Sequence, residues 1–451
     1  MITSLQNAPG FDEEAFRQVH ASGTQITSVR LNPSKIIDDG AALFGQPTEN
    51  IPWCSNGLYL AERPSFTTDP LFHAGAYYVQ EASSMFLQQA LQQTVDLSQP
   101  LKVLDLCAAP GGKSTLIESL INDDSLLVSN EVIKTRVNIL AENITKWGAA
   151  NVIVTNNDPK DFARLQDHFD VIVVDAPCSG SGLFRKDKNA VEEWSLNNVE
   201  LCSQRQQRIL ADIMPSLKDD GVLIYSTCSY SQEEDEAIGD WLAEVFDVES
   251  LRLDTGTSNG IVETISPGKK TYGYRFYPDK IKGEGFFIAA FKKSGSAGSA
   301  NAEKKAKTAE KLSKQETETV SAWLKEPAQY FFIKQNEEII AIPLHLQQDL
   351  TAIQAALYIK KAGIRMGTVI RNELIPHHEL AMSNIMKNEL LFCDVDMETA
   401  LQYLRRQDIK TDTTLKGWVL IRYRQLPLGW LKIMPNRINN YYPKEWRILN
   451  K

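Results

Sequence analysis

The stretch Leu101-Lys-Val-Leu-Asp-Leu-Cys-Ala-Ala-Pro-Gly-Gly-Lys-Ser-Thr115 decides the fold of this 451-residue chain. Its apolar run Val103-Leu104-Asp105-Leu106 reads as a buried parallel strand. The run breaks at Pro110-Gly111-Gly112, and a helical pattern follows from Lys113 to Leu120. Strand, glycine turn and helix are how an α/β sheet builds a ligand crevice at its carboxyl edge. Glycines let the backbone approach a ligand closely, and the helix start offers unpaired N–H groups.

Three ligands could occupy such a crevice. A triphosphate needs G-x-x-x-x-G-K-[ST]. Gly112-Lys113-Ser114 matches its end, and Val171–Asp175 could pass for a magnesium-binding strand, as in an NTPase. However, Cys107 stands where the first glycine belongs, and Pro110 removes an N–H from the would-be phosphate cradle. A dinucleotide needs G-x-G-x-x-G after the strand, which is absent. S-adenosylmethionine, which needs no pyrophosphate nest, is the remaining candidate.

Outward from this stretch, residues 101–293 alternate apolar strands with helical patterns, the signature of a doubly wound parallel sheet. Strands are expected at Leu126–Glu131, Val152–Thr155, Asp170–Val174 and Gly221–Tyr225. Helices are expected around Thr135–Trp147, Val199–Leu217 and Gln232–Val245. Tyr272–Tyr277 and Gly285–Lys292 suit an antiparallel pair closing the sheet. Upstream, Phe11–His20 and Gln80–Leu91 read as helices, and Val29–Pro33 and Gly57–Leu60 as strands. Downstream, the Ser/Gly/Ala/Lys-rich run Ser294–Lys307 reads as a linker. The domains expected are 1–96, a catalytic 97–293, a linker 294–314, a small α/β domain 315–393 and a final module 394–451.

No apolar run reaches membrane-spanning length, and Met1-Ile-Thr-Ser-Leu-Gln-Asn7 lacks a signal-peptide layout, so a cytoplasmic protein away from the membrane is expected. Six scattered cysteines form no C-x-x-C, which argues against a zinc site or dithiol motif; no metal is expected. Net charge is −9, which by itself speaks against nucleic acid, yet Leu401–Lys451 holds eleven Lys/Arg against three Asp/Glu. Tyr403, Trp418, Tyr423, Trp430, Tyr441, Tyr442 and Trp446 are interleaved there. Basic residues among aromatics suit phosphate contacts and base stacking, although an aromatic core under a basic surface would read the same way.

The strand ends carry acids. Asp105 lies on the first strand, Glu131 ends the second, Asp158 follows the third and Asp175 ends the fourth. An acid ending the second strand is placed to accept hydrogen bonds from ribose hydroxyls. Two cysteines sit in polar loops: Asp175-Ala-Pro-Cys178-Ser-Gly-Ser-Gly182 after the fourth strand, Tyr225-Ser-Thr-Cys228-Ser-Tyr230 after the fifth. In a doubly wound sheet both loops lie on the side of the glycine turn, so both thiols could meet a substrate beside the cofactor. A thiol is useful where methyl transfer targets carbon 5 of a pyrimidine, which offers no ready lone pair. Thiolate addition at carbon 6 makes carbon 5 nucleophilic, splitting one hard step into easier ones. The attacking thiol, of reference pKa about 8.5, must be ionised locally. Spacing alone does not choose between the two cysteines.

Asp105–Lys113, Asp175–Gly182 and Ser226-Thr-Cys-Ser229 resemble motifs of the NOL/NOP/Sun family of RNA cytosine-5 methyltransferases, over about residues 57–290. The resemblance implies a Rossmann-like core binding S-adenosylmethionine. It implies that Cys228 attacks carbon 6, that Cys178 assists breakdown of the adduct, and that Asp175 lies between cofactor and cytosine. It further implies that Cys107, Ala108, Ala109, Pro110, Gly111, Gly112 and Lys113 wrap the methionine end, with Glu131 at the ribose and Asp158 near the adenine. Arg185 and Lys186 are candidate phosphate contacts. Tyr77–Ser84 resembles the family segment before the cofactor domain. Gly417–Arg422, Gly429–Lys432 and Arg437–Arg447 are similar to the tail of the RsmF-type bacterial ribosomal RNA branch. That tail implies a PUA-like RNA-binding module at 394–451 and an N-terminal RNA-binding region. Ribosomal RNA or the small ribosomal subunit is then the expected partner, transfer RNA an alternative substrate, and a monomer the expected state.

Overall fold

The computed structural model describes residues 1–35, 40–256, 260–295, 312–410 and 414–449; most of the expected linker lies outside them. Near the N-terminus, β1 (Thr27–Leu31), β2 (Thr48–Asn50), β3 (Gly57–Leu60) and β4 (Tyr77–Val79) form an antiparallel sheet in the order β2-β3-β1-β4. The expected helix over 80–91 divides into a 3₁₀ turn, Ser83–Phe86, and a helix, Leu87–Thr94. Glu81 causes the break: its carboxylate accepts the N–H groups of Ser83 and Ser84, and its carbonyl accepts the Ser84 hydroxyl.

The central sheet follows the expected alternation. Its parallel part comprises β5 (Lys102–Asp105), β6 (Leu126–Asn130), β7 (Val152–Thr155), β8 (Phe169–Asp175) and β9 (Leu217–Thr227), in the order β7-β6-β5-β8-β9. β10 (Val248–Leu251), β11 (Val262–Ile265), β12 (Tyr272–Phe276) and β13 (Phe286–Lys293) extend it, with β13 antiparallel to β9 and β12 antiparallel to β13. Period-two alternation divides its side chains between two cores. Val103, Leu127, Val154, Val171, Val173 and Ile224 share one face with Trp53, Met85 and Phe86 of the N-terminal region. Leu104, Val128, Ile153, Ile172, Val174 and Leu223 share the other with Leu210 and Ile213 of the helix Leu196–Ile213. That helix ends short of the expected Leu217 because Pro215 cannot continue it, and β9 begins at Leu217.

The C-terminal half is less separable than the sequence suggests. β14 (Tyr330–Gln335), β15 (Glu338–Pro343), β17 (Ile364–Ile370) and β18 (Glu373–Pro376) make one sheet, but the intervening β16 (Ile359–Ala362) leaves it and pairs with β7 at the edge of the catalytic sheet. Ile340, Ile342 and Ile353 join the catalytic core on one face. The last sheet, β19 (Phe392–Val395), β20 (Gly417–Tyr423), β21 (Leu426–Met434) and β22 (Arg437–Asn440), starts two residues before the expected boundary at 394.

This last module packs on its neighbours through aromatic rings around two histidines, His73 of the N-terminal region and His378 of the helix His378–Met382. The His378 ring meets Tyr442 and Trp446 edge-on, and neither of its nitrogens has a hydrogen-bond partner. His73 is likewise buried and faces the Tyr442 hydroxyl at 3.4 Å. Burial, helped by the neighbouring cations His377, Lys146 and Lys35 and opposed by Glu379, lowers His378 to about 3. Burial, then Lys146, lowers His73 to about 4, while its bond to the Thr67 carbonyl works the other way. Both folded-state values lie below the unfolded value of 6.5, so this stability is complete above pH 6.5 and is lost as pH falls toward the folded values. His378→Phe should therefore take up about one proton fewer on unfolding. Urea titrations at pH 7.5 and 5.0 should show a smaller acid loss in the variant than in the parent.

Candidate active site

The glycine bend of the opening stretch is a deformation at the carboxyl end of β5. Gly111 has φ of 118°, outside the comfortable range of residues with a Cβ, and caps the short helix Gly112–Glu118. A Cβ at Gly112 would lie 3.3 Å from the Tyr78 ring, so the loop is closely covered by β4. A neighbouring helix, Lys134–Trp147, and a neighbouring strand brace it. Arg136 donates to the Ala109 carbonyl at 2.6 Å and lies 3.4 Å from the Glu131 carboxylate. Asn130, fully buried, donates to the carbonyls of Leu106 and Asn157 and accepts from Thr155 and Asn157, so it knits the ends of β5, β6 and β7.

Arg30 of β1 holds the helix from the other side. It donates to Gln80 Oε1 at 2.9 Å, to the Gly112 and Thr115 carbonyls at 3.1 and 3.2 Å, and to Thr115 Oγ1 at 2.6 Å. Its guanidinium lies 4.7 Å from the centre of the Trp147 ring. Burial without a carboxylate partner lowers it to about 10, which leaves it charged at neutral pH.

A cleft of about 190 Å³ opens above the bend, lined by Cys107–Pro110, Gly112, Lys113, Asp175 and, from the N-terminal region, Tyr78–Glu81 and Ser84. Those N-terminal residues were not among the sequence-derived site residues, although Tyr77–Ser84 carried a family resemblance. Glu131 is buried beside the loop and accepts the Ile133 N–H at 2.8 Å; Asp158 caps the turn Pro159–Arg164 through the Lys160 N–H. Neither lines this cleft. Asp105 lies below it: Oδ2 accepts from Ser114 at 2.6 Å, Oδ1 has no partner, and burial pushes the carboxyl up to about 7. A cleft lined by Glu81 and Asp175 over a tightly turned glycine loop, with the Asp105 carboxyl buried beneath it, suits the positively charged sulfonium end of S-adenosylmethionine.

Lys113 and the two cysteine loops meet at Asp175. Lys113 Nζ is 2.8 Å from Asp175 Oδ2, and Ser226 donates to Asp175 Oδ1 at 2.8 Å. Burial opposes the Lys113 charge, yet Asp175 holds its pKa above the ordinary value. Cys178 and Cys228, both half-buried, have their sulfurs 2.9 Å apart. The bond to Cys228, followed by burial, pushes the Cys178 thiol well above its usual pKa. Burial raises Cys107 too, followed by the charges of Asp105, Asp175 and Glu131. Cys107 is therefore a wall of the cleft and an unsuitable nucleophile.

Arg185 departs from the expectation of a phosphate contact. Its side chain is 6% exposed and lies 3.3 Å from the buried Glu284 carboxylate. It also donates to the carbonyls of Gly283 and Thr24. It is a strut between loops because the glycine turn at 180–182 folds it inward against the segment preceding β13. Lys186 remains 34% exposed at 3.9 Å from Glu284. In the C-terminal module Tyr403, Trp430 and Tyr442 are core residues, whereas Tyr441 is exposed and packs on Trp418, with Lys432 4.8 Å above the Trp418 ring.

A parallel β7-β6-β5-β8-β9 sheet closed by the antiparallel β13, with its cleft over the first strand, defines the class of S-adenosylmethionine-dependent methyltransferases. Sequence comparison narrows that class. Residues 92–292 match the 16S rRNA methyltransferase RsmB/F family, residues 1–82 the N-terminal domain of 16S rRNA methyltransferase RsmF, and residues 391–448 the methyltransferase RsmF PUA domain. Ribosomal RNA small subunit methyltransferase F of Vibrio vulnificus is 30% identical over 437 residues, covering 93% of this chain and 90% of that protein. The protein of the same name from Aeromonas salmonicida is 30% identical over 439 residues, with the same coverage. A crystal structure of a methyltransferase homolog from Pyrococcus horikoshii superposes with a TM-score of 0.53 at 29% identity, covering 65% of this chain and 98% of that one. The chain belongs to the RsmF family of 16S rRNA methyltransferases. It is an RNA methyltransferase that uses S-adenosylmethionine and carries a PUA domain for RNA binding.

The structural role of Arg185 is open to direct measurement. Arg185→Ala strips Glu284 of its nearest cation and should destabilise the protein by about 3 kcal/mol. The salt dependence of RNA binding should stay that of the parent, as measured by filter binding at several salt concentrations. Lys186→Ala should leave the melting temperature nearly unchanged.

Proposed function

We propose that this protein methylates carbon 5 of a cytidine in 16S ribosomal RNA through a covalent adduct with Cys228. The observation that carries this reading is the pair of sulfurs 2.9 Å apart, on loops that meet the Lys113–Asp175 ion pair at the mouth of the cofactor cleft. Bound S-adenosylmethionine supplies an electrophilic methyl group beside this site. Methylating an amine or hydroxyl would leave two adjacent thiols without a use; activating a pyrimidine carbon needs one to attack and can use another on the way out.

The cytosine is taken out of its stack and its polar edge is read in the pocket, with Asp175 as acceptor. Cys228 adds to carbon 6 as the thiolate, and the displaced π electrons make carbon 5 nucleophilic. Carbon 5 forms the new bond to the methyl carbon, whose bond to the sulfonium sulfur would break with the electron pair staying on sulfur as a neutral thioether. A base then takes the carbon 5 proton, the double bond re-forms and the carbon–sulfur bond breaks, returning Cys228. Cys178, whose thiol is pushed up by its bond to Cys228 and by burial, assists this release. Lys113 places positive charge in the field of Cys228 while paired with Asp175.

Cys107 through Lys113 hold the methionine end in the cleft, while Glu131 and Asp158, at the neighbouring strand ends outside it, hold the ribose and the adenine side. Lys186, in place of Arg185, meets RNA phosphate. The exposed Tyr441, packed on the half-buried Trp418 with Lys432 above that ring, gives the PUA domain an aromatic surface with a cation beside it for RNA. We retain the division 1–96, 97–293, 294–314, 315–393 and 394–451 as part of this reading, with the last sheet beginning at Phe392. The enzyme works as a cytoplasmic monomer on ribosomal RNA or the small subunit.

Bisulfite sequencing of 16S ribosomal RNA from cells with and without the gene should reveal a single cytidine that loses protection in the deletion; unchanged protection everywhere refutes the reading. Cys228→Ala should abolish methyl transfer while preserving S-adenosylmethionine binding by calorimetry. Cys178→Ala should accumulate protein on RNA as a denaturation-resistant band, because attack proceeds and release stalls.

A further inference from the structure

Two short loops rarely hold their side chains in register without help. Here each cysteine is followed by a serine, and both serines reach the same buried carboxylate. Glu234, wholly buried, accepts the Ser179 N–H on Oε1 at 2.8 Å and the Ser179 hydroxyl on Oε2 at 2.5 Å. It accepts the Ser229 hydroxyl on Oε2 at 2.6 Å. Gln206, from the helix Leu196–Ile213, donates to Oε1 at 3.1 Å and also to the Pro177 carbonyl at 3.1 Å. The Glu234 carbonyl in turn accepts the Tyr225 hydroxyl at 2.7 Å. Every side-chain contact of this carboxylate is a donor. Its partners come from the residue after Cys178, the residue after Cys228 and the helix packed beneath both.

We propose that Glu234 is a positioning residue that sets the distance between the Cys178 and Cys228 sulfurs, and thereby the rate at which the adduct is released. It touches neither substrate nor the reacting atoms. Cys178 has to lie against Cys228 when the carbon–sulfur bond breaks; Gly182 donates to the Cys228 carbonyl at 2.8 Å and Tyr230 to Ser181 Oγ at 2.9 Å, but the Glu234 carboxylate is the group that the residues directly following both cysteines share. Ser179 and Ser229 themselves are 3.4 Å apart at their hydroxyls, a longer and weaker link. Loss of the carboxylate leaves the backbone bonds between the loops but frees the serine after each cysteine, and a displacement of about 1 Å in a reacting group can cost about a hundredfold in rate. Attack by Cys228 depends less on the clamp, because Asp175 and Ser226 still fix its loop at the strand end.

This inference rests on the division of labour between the two thiols given above, and the test separates the two. Full-length Glu234→Gln, Ser179→Ala, Ser229→Ala and Cys178→Ala proteins are compared with the parent. The substrate is small ribosomal subunits from a strain lacking the gene, with tritium-labelled methyl donor. Methyl turnover and the fraction of protein in a denaturation-resistant adduct are both read. Glu234→Gln keeps the shape but turns an amide toward donors, and should lower turnover about tenfold or more while raising the adduct fraction toward that of Cys178→Ala. Each serine variant removes one hydrogen bond and should move the adduct-to-turnover ratio the same way by a smaller factor. These two keep the test decisive if Glu234→Gln fails to fold. A ratio equal to the parent's in the folded variants overturns the inference, as does a parallel fall of adduct and turnover. Adduct in Cys178→Ala with unchanged ratios elsewhere refutes the clamp alone; a Cys178→Ala protein without adduct refutes the division of labour and the clamp with it.

Discussion

The chemistry depends on one pairing in the sheet. In the parallel ladder of β8 and β9, Asp175 lies opposite Ser226. Parallel strands deliver their following loops to the same edge, so register alone determines which loop residues meet. Cys178 stands three positions past Asp175 and Cys228 two positions past Ser226. The sulfurs converge because these offsets nearly match. A slip of one residue in this ladder would send alternate side chains to the opposite face and separate the thiols. Burial on both faces, with Val171, Val173 and Ile224 in one core and Ile172, Val174 and Leu223 in the other, makes such a slip costly.

The cofactor cleft is a joint product of two regions. The glycine bend supplies backbone, but its walls include Tyr78–Glu81, and Arg30 draws the helix Gly112–Glu118 against β1. A guanidinium bonded only to neutral acceptors is an expensive group to bury. Its retention ties the placement of the cofactor helix to the folding of the N-terminal sheet. The C-terminal half is attached as firmly, since β16 extends the catalytic sheet and Tyr442 of the last module meets both His378 of the preceding part and His73 of the N-terminal region. RNA held by the last module is thus referred to the site through packed elements.

Much of the core was legible. The apolar strands of 101–293 and their order follow from the period of the pattern, because strands buried on both faces admit few other readings. The acids and thiols at the strand ends were legible for the same reason: strand direction places them. What local pattern could not show was competition from side chains. Glu81 broke the expected helix by capping inside it, and Pro215 shortened another. Arg185 looked like a surface cation until Glu284, about a hundred residues away in sequence, drew it inward.

By itself the sequence determined the parallel sheet, the glycine bend, the loops that carry Asp175, Cys178 and Cys228, and the resemblance to a family of RNA methyltransferases. These are properties of short segments, set by hydrophobic period, turn residues and motif. Tertiary structure alone decided that two sulfurs lie 2.9 Å apart, that Tyr78 lines the cofactor cleft while Arg30 braces the helix behind it, and that β16 joins the catalytic sheet. Such contacts join residues far apart in the chain, and their geometry is set by packing and by the need to satisfy buried polar groups, neither of which a local stretch records.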